Sequence, residues 1–424
     1  METALIVIFC LGYGFIAFEK GLKINKAASA LLTGVVCWTL LISFQTDKAI
    51  INHQLAEHLS EIAGILFFLL AAMVIVELID AHQGFDLITN RIYQHNKMRL
   101  LWVFALIAFF LSAVLDNLTT TIVMGSLLRK LVDDEKDRIY YLSSVVIAAN
   151  AGGAWSPIGD VTTTMLWIGG QISAVAIIKA VFFPALVCAV SPLVVLSFRL
   201  KGNVNRPAQL QHRLSTSLSS QHQALVLFTG IGVLLAVPVF KTVTHLPPYM
   251  GILGGLAILW LVTELLHSKK DDELKQQFSV ASALQKTDTP SILFFFGILL
   301  SIGALASAGV LSQLAAYLIS HVQSKAGIAV LFGALSAIVD NVPLVAALQG
   351  MFDLSVWPCD HPFWHLLAYT TGTGGSLLII GSAAGVAAMG IERISFFGFL
   401  KSFSLLALLG YLSGAVIYFL SNTL

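Results

Sequence analysis

Apolar residues in this chain gather into blocks instead of alternating with charged ones, and the blocks recur from end to end. Most match the ~20 residues that cross a ~30 Å hydrocarbon layer as a helix. They predict ordinary spans at 3–19, 27–44, 62–79, 174–198, 224–240, 247–266, 290–306 and 402–420. Two blocks differ. Residues 100–131 and 325–356 each carry an Asp-Asn pair near the middle, Asp116 and Asn117 in SAVLDNLTTTIVM and Asp340 and Asn341 in SAIVDNVPLVAA. Each block divides there into two apolar arms of ~16 residues, ~24 Å at 1.5 Å per residue and slightly short for a crossing. Basic residues stand at both outer ends of the first block, Lys97 and Arg99, then Arg129 and Lys130, which places both ends on one side of the membrane. The pattern predicts two re-entrant hairpins with an Asp-Asn pair at each tip. Residues 140–172 and 363–391 read instead as helices broken midway by NAGGAWSPIGD and GTGGSLLIIGS, because glycine clusters and Pro157 cannot continue a regular helix. The expected fold class is an all-α polytopic membrane protein.

Composition agrees: 57% of residues are hydrophobic and 11% charged, against roughly 25% charged in soluble domains. The first block has no basic stretch before it and no small-residue cleavage site after it, so it reads as a retained span. Cys10, Cys37, Cys188 and Cys359 are scattered, without disulfide or metal-ligand spacing. No GxxxxGK followed by Ser or Thr occurs, so no nucleotide drives the protein directly, and neither a cofactor nor a nucleic-acid partner is expected. With the broken helices counted as single crossings, the layout has ten crossings and two hairpins. Of the 24 Lys and Arg, only Lys48, Lys179, Lys241 and Lys325 then fall on one face. The crowded face is cytoplasmic by the positive-inside bias, both termini lie outside, and a bacterial inner membrane is the expected location.

Three landmarks recur in order: ILFF at 65 and 292, the Asp-Asn tips at 116 and 340, and the glycine breaks at 152 and 374, offset by 227, 224 and 222 residues. One unit has been duplicated, and in the topology above the first hairpin enters from the cytoplasm and the second from outside. Such inverted repeats of interrupted helices build the midplane sites of secondary transporters. Irregular backbone survives in a membrane only when buried in protein or lining a wet cavity. The polar residues gathered there are Asp116, Asn117, Asn150, Asp160, Thr162 and Thr163 from the first half, and Ser336, Asp340, Asn341, Thr373 and Ser376 from the second. Their hard oxygens suit sodium or lithium. Asp or Asn also caps a returning helix, and threonines bond back to helix carbonyls. A carboxylate at membrane depth is nonetheless functional by default, and here it occurs twice in equivalent places. Asp160, after WSPIG at a helix restart, fits a cap and a cation ligand equally well. Glu77, Asp80 and His82 lie at the cytoplasmic end of one span, which suits either a solvated boundary or a pH-sensing histidine. The chain is expected to divide into scaffold spans (1–61), a first repeat (62–198), a cytoplasmic linker (199–223), two spans with a cytoplasmic loop (224–289) and a second repeat (290–424).

The stretches FEKGLKINKAASALLTGV (18–35), AAMVIVELIDAHQGFDLIT (71–89), FFLSAVLDNLTTTIVMGSLLRKL (109–131), GGAWSPIGDVTTTMLWIGGQIS (152–173) and LSAIVDNVPLVAA (335–347) carry a further reading. With them, nearly the whole chain resembles sodium/proton antiporters of the NhaD type, in the ion transporter superfamily that also holds arsenite pumps and dicarboxylate symporters. The resemblance implies transport-critical residues at Ser112, Asp116, Asn117, Asn150, Asp160, Thr162, Thr163, Ser336 and Asn341, and a homodimer with separate scaffold and transport regions. Sodium-coupled dicarboxylate symporters look similar at the tips but carry a serine before the asparagine, where this chain has Asp116 and Asp340. A serine exchanges no proton near neutral pH and a carboxylate can. The second break also lacks an acid at the place of Asp160, so the halves are not equivalent.

The expected function is exchange of sodium, and lithium, for protons by alternating access, with sodium at Asp116, Asn117 and Asp160 and the proton competing at Asp116. The nearest alternative is an anion transporter, disfavoured because no Lys or Arg stands near either tip in the sequence. An intramembrane aspartyl protease built on Asp116, Asp160 or Asp340 is a distant third, since hydrolysis needs no inverted hairpins.

Overall fold

The computed structural model describes residues 1–424 except 18, 46, 90, 91, 93, 206–218, 269–275, 277, 323, 423 and 424. The described residues are helical, with one isolated β-bridge between Asn96 and Asn203 and no strand. The principal helices are α1 Glu2–Ala17, α2 Lys26–Phe44, α3 Lys48–Ala81, α4 Lys97–Leu115, α5 Asn117–Leu131, α6 Glu135–Ala154, α7 Val161–Ile168, α8 Ala174–Arg199, α9 Ser220–Thr244 and α10 Pro248–His267. They continue as α11 Val280–Lys286, α12 Thr289–Ser307, α13 Val310–His321, α14 Lys325–Leu335, α15 Asn341–Met351, α16 Pro362–Gly374, α17 Ala383–Glu392 and α18 Leu405–Asn422, the last preceded by a π-turn at Leu400–Ser404. Among the described residues, eight helices are long and apolar enough to cross a membrane, or nine if one bent pair counts as a single span. The chain is a multi-pass membrane protein. The count differs from ten because α1 and the halves of the broken helices fall short of that test, whereas α4, expected as a short arm, passes it.

Helix α3 is the largest departure from the expected spans. Its 34 residues make about 51 Å at 1.5 Å per residue, far beyond the hydrocarbon layer. It starts at Lys48 because Asp47 caps it, the carboxylate accepting from the Ala49 and Ile50 amides at 2.9 and 3.4 Å. The polar stretch from His53 to Glu61 ends the apolar run without breaking the helix. The expected boundary at 61/62 therefore falls inside a helix. Two helices, α11 and α13, were not anticipated from the apolar pattern.

The ends of the Asp-Asn blocks show how the chain travels. Lys97 at the start of α4 pairs with Asp137 at 2.7 Å, and Arg129 near the end of α5 and Arg138 both pair with Glu392, at 2.7 and 2.9 Å. Asp137 and Arg138 are neighbours in the first turn of α6, so both outer ends of the α4–α5 pair meet there. In the second block the Lys325 ammonium sits 4.4 Å above the Trp357 ring, joining the start of α14 to the chain just past α15. The broken helices run opposite ways. The Asp360 amide donates to the Gln171 carbonyl at 2.8 Å, so α16 begins where α7 ends, while Glu392 closes α17 beside the start of α6.

The first residues of the expected linker pack across this end: Lys97 N–H donates to the Gly202 carbonyl, Val204 N–H to His95, and Asp133 N–H to Asn205. The rest of it, 206–218 with Arg206 and Arg213, lies outside the described residues, as do Arg91, Lys269, Lys270 and Lys275. Helix α2 packs on α12, and the Trp38 indole donates to the Leu300 carbonyl at 2.8 Å.

Candidate functional site

A single residue, Asp116, separates α4 from α5. Its φ of +74° with ψ of 163° lies where only glycine is at ease, at a cost of about 1–3 kcal/mol. The carboxylate caps α5, accepting from the Thr119 amide at 2.7 Å and the Thr119 hydroxyl at 3.0 Å. Asp340 occupies the equivalent place before α15 with an ordinary φ of −49° and accepts from the Val342 amide at 3.3 Å.

Serines and glycines tie each tip to its broken helix. Ser112 donates to the Ala149 carbonyl at 2.6 Å, and Ser336 donates to the Thr371 carbonyl at 3.1 Å. A Cβ on Gly152 would lie 2.1 Å from the Phe109 carbonyl oxygen, and one on Gly374 would lie 1.9 Å from that of Gly333. The glycine clusters therefore do more than interrupt helices: they let the backbones of α4 and α14 touch those of α6 and α16, where any side chain would intrude.

At the first break Asp160 precedes α7 and is 2% exposed. Its Oδ2 accepts from the Thr162 hydroxyl at 2.8 Å and from the Asn341 amide at 3.1 Å, while its own N–H donates to the Thr163 hydroxyl at 3.2 Å. Asn150 links three elements: it accepts from the Asn117 amide at 3.0 Å and donates to Ser376 at 2.8 Å and Ser382 at 2.9 Å. The polar network thus crosses from one half of the chain to the other twice, at Asn150 and at Asp160.

These groups surround a cavity of about 60 Å³. Asp116, Asn117, Asp160, Asp340 and Asn341 line it directly, with apolar walls that include Phe68 and Leu234. Ser112, Asn150, Thr162, Thr163, Ser336, Thr373 and Ser376 are not part of that lining, but Asn150 is bonded to Asn117, and Thr162 and Thr163 to Asp160. Among the described residues no group of three or more His, Cys, Asp or Glu is arranged to hold a metal ion. Any cation in the cavity would draw on mixed carboxylate, amide and backbone oxygens.

Two expectations need correction. A basic residue does stand at a tip: the Lys26 ammonium is 3.9 Å from Asp340 Oδ2. The two residues are far apart in the sequence, and nothing in the pattern around either announces the other. His82 is not solvated. It is fully buried, its Nδ1 2.7 Å from the Leu78 carbonyl and its Nε2 2.9 Å from Nε2 of His267, with Phe278 against both rings. Glu77 pairs with Lys286 at 3.6 Å. None of Glu77, Asp80 and His82 lines the cavity. Ser382 was also missed as a partner of Asn150, although the offset of 222 residues that maps Gly152 onto Gly374 also maps Asp160 onto Ser382.

A family model described as a citrate transporter (CitMHS) matches residues 13–372. Sodium/proton antiporter 2 of Arabidopsis thaliana is 46% identical over 416 residues, 97% of this chain and 98% of that protein. Sodium/proton antiporter 1 of the same plant is 46% identical over 421 residues, 98% of this chain and 72% of that protein. The Na(+)/H(+) antiporter NhaD of Vibrio cholerae is 31% identical over 453 residues, covering 99% of this chain and 91% of the bacterial protein. By the extent of these matches the chain belongs to the transporter family that the citrate model describes and, within it, to the NhaD-type sodium/proton antiporters.

Proposed function

We propose that this protein is a secondary transporter that exchanges sodium, and lithium, for protons by alternating access. Asp116 holds cation and proton in turn, and Asn117 and Asp160 complete the oxygen shell. The observation that carries this reading is the convergence of three carboxylates and two amides from separate elements on one small cavity. A volume of about 60 Å³ admits a partly hydrated ion, since one water needs ~10–15 Å³ on this measure.

Charge speaks against an anion. The helices α5, α7 and α15 all begin at the cavity, and helix N-termini attract anions. Here each is preceded by an aspartate of the chain itself, Asp116, Asp160 or Asp340, which already answers that partial charge. A serine at the tips would leave those N-termini free for a substrate carboxylate. Three carboxylates against the one ammonium of Lys26 leave the lining negative when all are ionised.

The repeat reading goes with it: two inverted units, each a re-entrant hairpin and a broken helix, in a homodimer with distinct scaffold and transport regions in an inner membrane. It is supported by the outer ends of each Asp-Asn block meeting each other, by the opposite runs of the broken helices and by the matched Ser and Gly contacts. A cysteine at Asn205 should react from the cytoplasm and one at Thr242 from outside; reaction of both from one face would end this topology. The function itself is tested in liposomes containing only this protein and a trapped pH dye. Adding sodium or lithium should move protons the opposite way. Indifference to sodium combined with dissipation of a citrate or arsenite gradient would replace the proposal with the anion reading.

A further inference from the structure

Lys26 opens α2 within FEKGLKINKAASALLTGV, a stretch for which cation exchange at the aspartates supplies no role. Its ammonium lies 3.9 Å from Asp340 Oδ2 and 4.4 Å from the centre of the Phe294 ring, and the two paired side chains keep 30% and 24% of their exposure. Two spaces meet at this pair. On one side is the small cavity holding Asp116, Asn117 and Asp160. On the other is a groove of about 670 Å³ whose polar lining includes Glu19, Asn25, Asp288 and Ser382. Lys26 and Asp340 line both, and Lys26 is the only basic side chain among the described residues of either lining. Glu19, Asn25 and Asp288 belong to segments that the charge bias places on the cytoplasmic face.

We propose that Lys26 is a tethered cation that gates the site. Paired with Asp340, it closes the cavity toward the cytoplasmic groove, and a sodium ion entering through the groove displaces the ammonium from that carboxylate. The ammonium is a compact point charge on a flexible stem, so it competes with sodium for a single oxygen. The ammonium already lies over the Phe294 face at 4.4 Å, and that contact can go on holding it once Asp340 is taken by sodium. Acidic Glu19 and Asp288 in the groove raise the local concentration of cations at the entrance. The identity of the displacing ion rests on the antiport reading; the gate does not.

Labelling separates the two. Ala72 lines the cavity and not the groove, so an Ala72→Cys protein with Cys10, Cys37, Cys188 and Cys359 replaced by serine reports entry into the cavity. In inside-out vesicles without sodium, a small impermeant cationic thiol reagent should react slowly. Lys26→Ala and Asp340→Asn should each speed the reaction by about fivefold, the upper end for a part-exposed ion pair, while Lys26→Arg should leave it slow. Saturating sodium should speed the reaction in the Lys26 protein and add nothing to Lys26→Ala. An unchanged rate in both Lys26→Ala and Asp340→Asn, or an equal rise in Lys26→Arg, would overturn the gate. A rise in the neutral variants with no response to sodium would support the gate and overturn sodium as the ion that opens it.

Discussion

The two Asp-Asn tips share Ser, Ala, Asp and Asn at the same spacing and hold them differently. At the first, Asp116 sits at φ +74° with the Thr119 amide and hydroxyl on its carboxylate; at the second, Asp340 sits at a relaxed φ of −49° with an ammonium beside it. A carboxylate that already has a resident cation takes a mobile one only by displacing it. A carboxylate held by two hydrogen bonds on a strained backbone gains more from a new ligand. The two tips therefore carry the same acid in different surroundings. The breaks behind the tips differ in the same sense: Asp160 precedes α7, and Ser382 precedes α17.

What the halves share is best broken at Gly152 and Gly374. A Cβ at either would press on a hairpin carbonyl at about 2 Å, and overpacking of this kind costs ~1–3 kcal/mol or more. Gly152→Ala and Gly374→Ala should both lower the unfolding midpoint in detergent and abolish exchange. Tolerance of one alone would mean that the two halves do not rely on the same packing.

What the halves do not share is sharpened at the breaks. Asp160→Asn removes a charged acceptor that binds Thr162 and Asn341. At ~1.5–3 kcal/mol for hydrogen bonds to a charged group, half-saturating sodium should rise roughly tenfold to a hundredfold. Ser382→Ala removes an N-cap bond to Gly385, worth ~1 kcal/mol, and one of two acceptors for Asn150 Nδ2, which keeps Ser376; it should shift half-saturating sodium by no more than about fivefold. Equal shifts would reduce Asp160 to a cap.

The smallest effect separates the tips by backbone alone. Asp116→Gly relieves a conformation costing ~1–3 kcal/mol, against a few tenths lost as a cap and ~0.5–1 kcal/mol lost to the entropy of glycine, so it should gain up to about 1 kcal/mol of stability while losing exchange. Asp340→Gly has no strain to relieve and should lose ~0.5–1 kcal/mol through the entropy of glycine. Chemical unfolding of the two variants in detergent compares them directly, and the same sign for both would contradict the strain at Asp116.

Much of this was legible in the sequence where the cause is local. Apolar runs located the spans, the Asp-Asn pairs located two helix ends, and the glycines and Pro157 located the breaks, because each acts within a few residues of itself. Asn150, Asp160 and Asn341 could be named as polar groups in an apolar setting, but their partners could not, since the bonds join distant parts of the chain. The Lys26–Asp340 pair and the His82–His267 contact were illegible for the same reason. The start of α3 at Lys48 was hidden because polar residues end an apolar run without ending a helix, and only the Asp47 cap marks the true beginning. The φ of Asp116 has no local signal, since glycine is the residue that such a conformation usually announces itself by.

The central claim is that one carboxylate, Asp116, carries sodium and proton alternately, and Asp116→Asn tests it most directly. Asparagine keeps the shape, the cap and one oxygen donor while losing the titrating charge. In proteoliposomes the unmodified protein should need more sodium as pH falls, about tenfold more per pH unit where a single proton occupies the site, because both ions compete for the same oxygens. The Asp116→Asn protein should fold, reach the membrane and exchange nothing at any pH. Sodium-driven proton movement by that variant near the unmodified rate, with the same pH dependence, would contradict the account and leave Asp160 or Asp340 as the carrier.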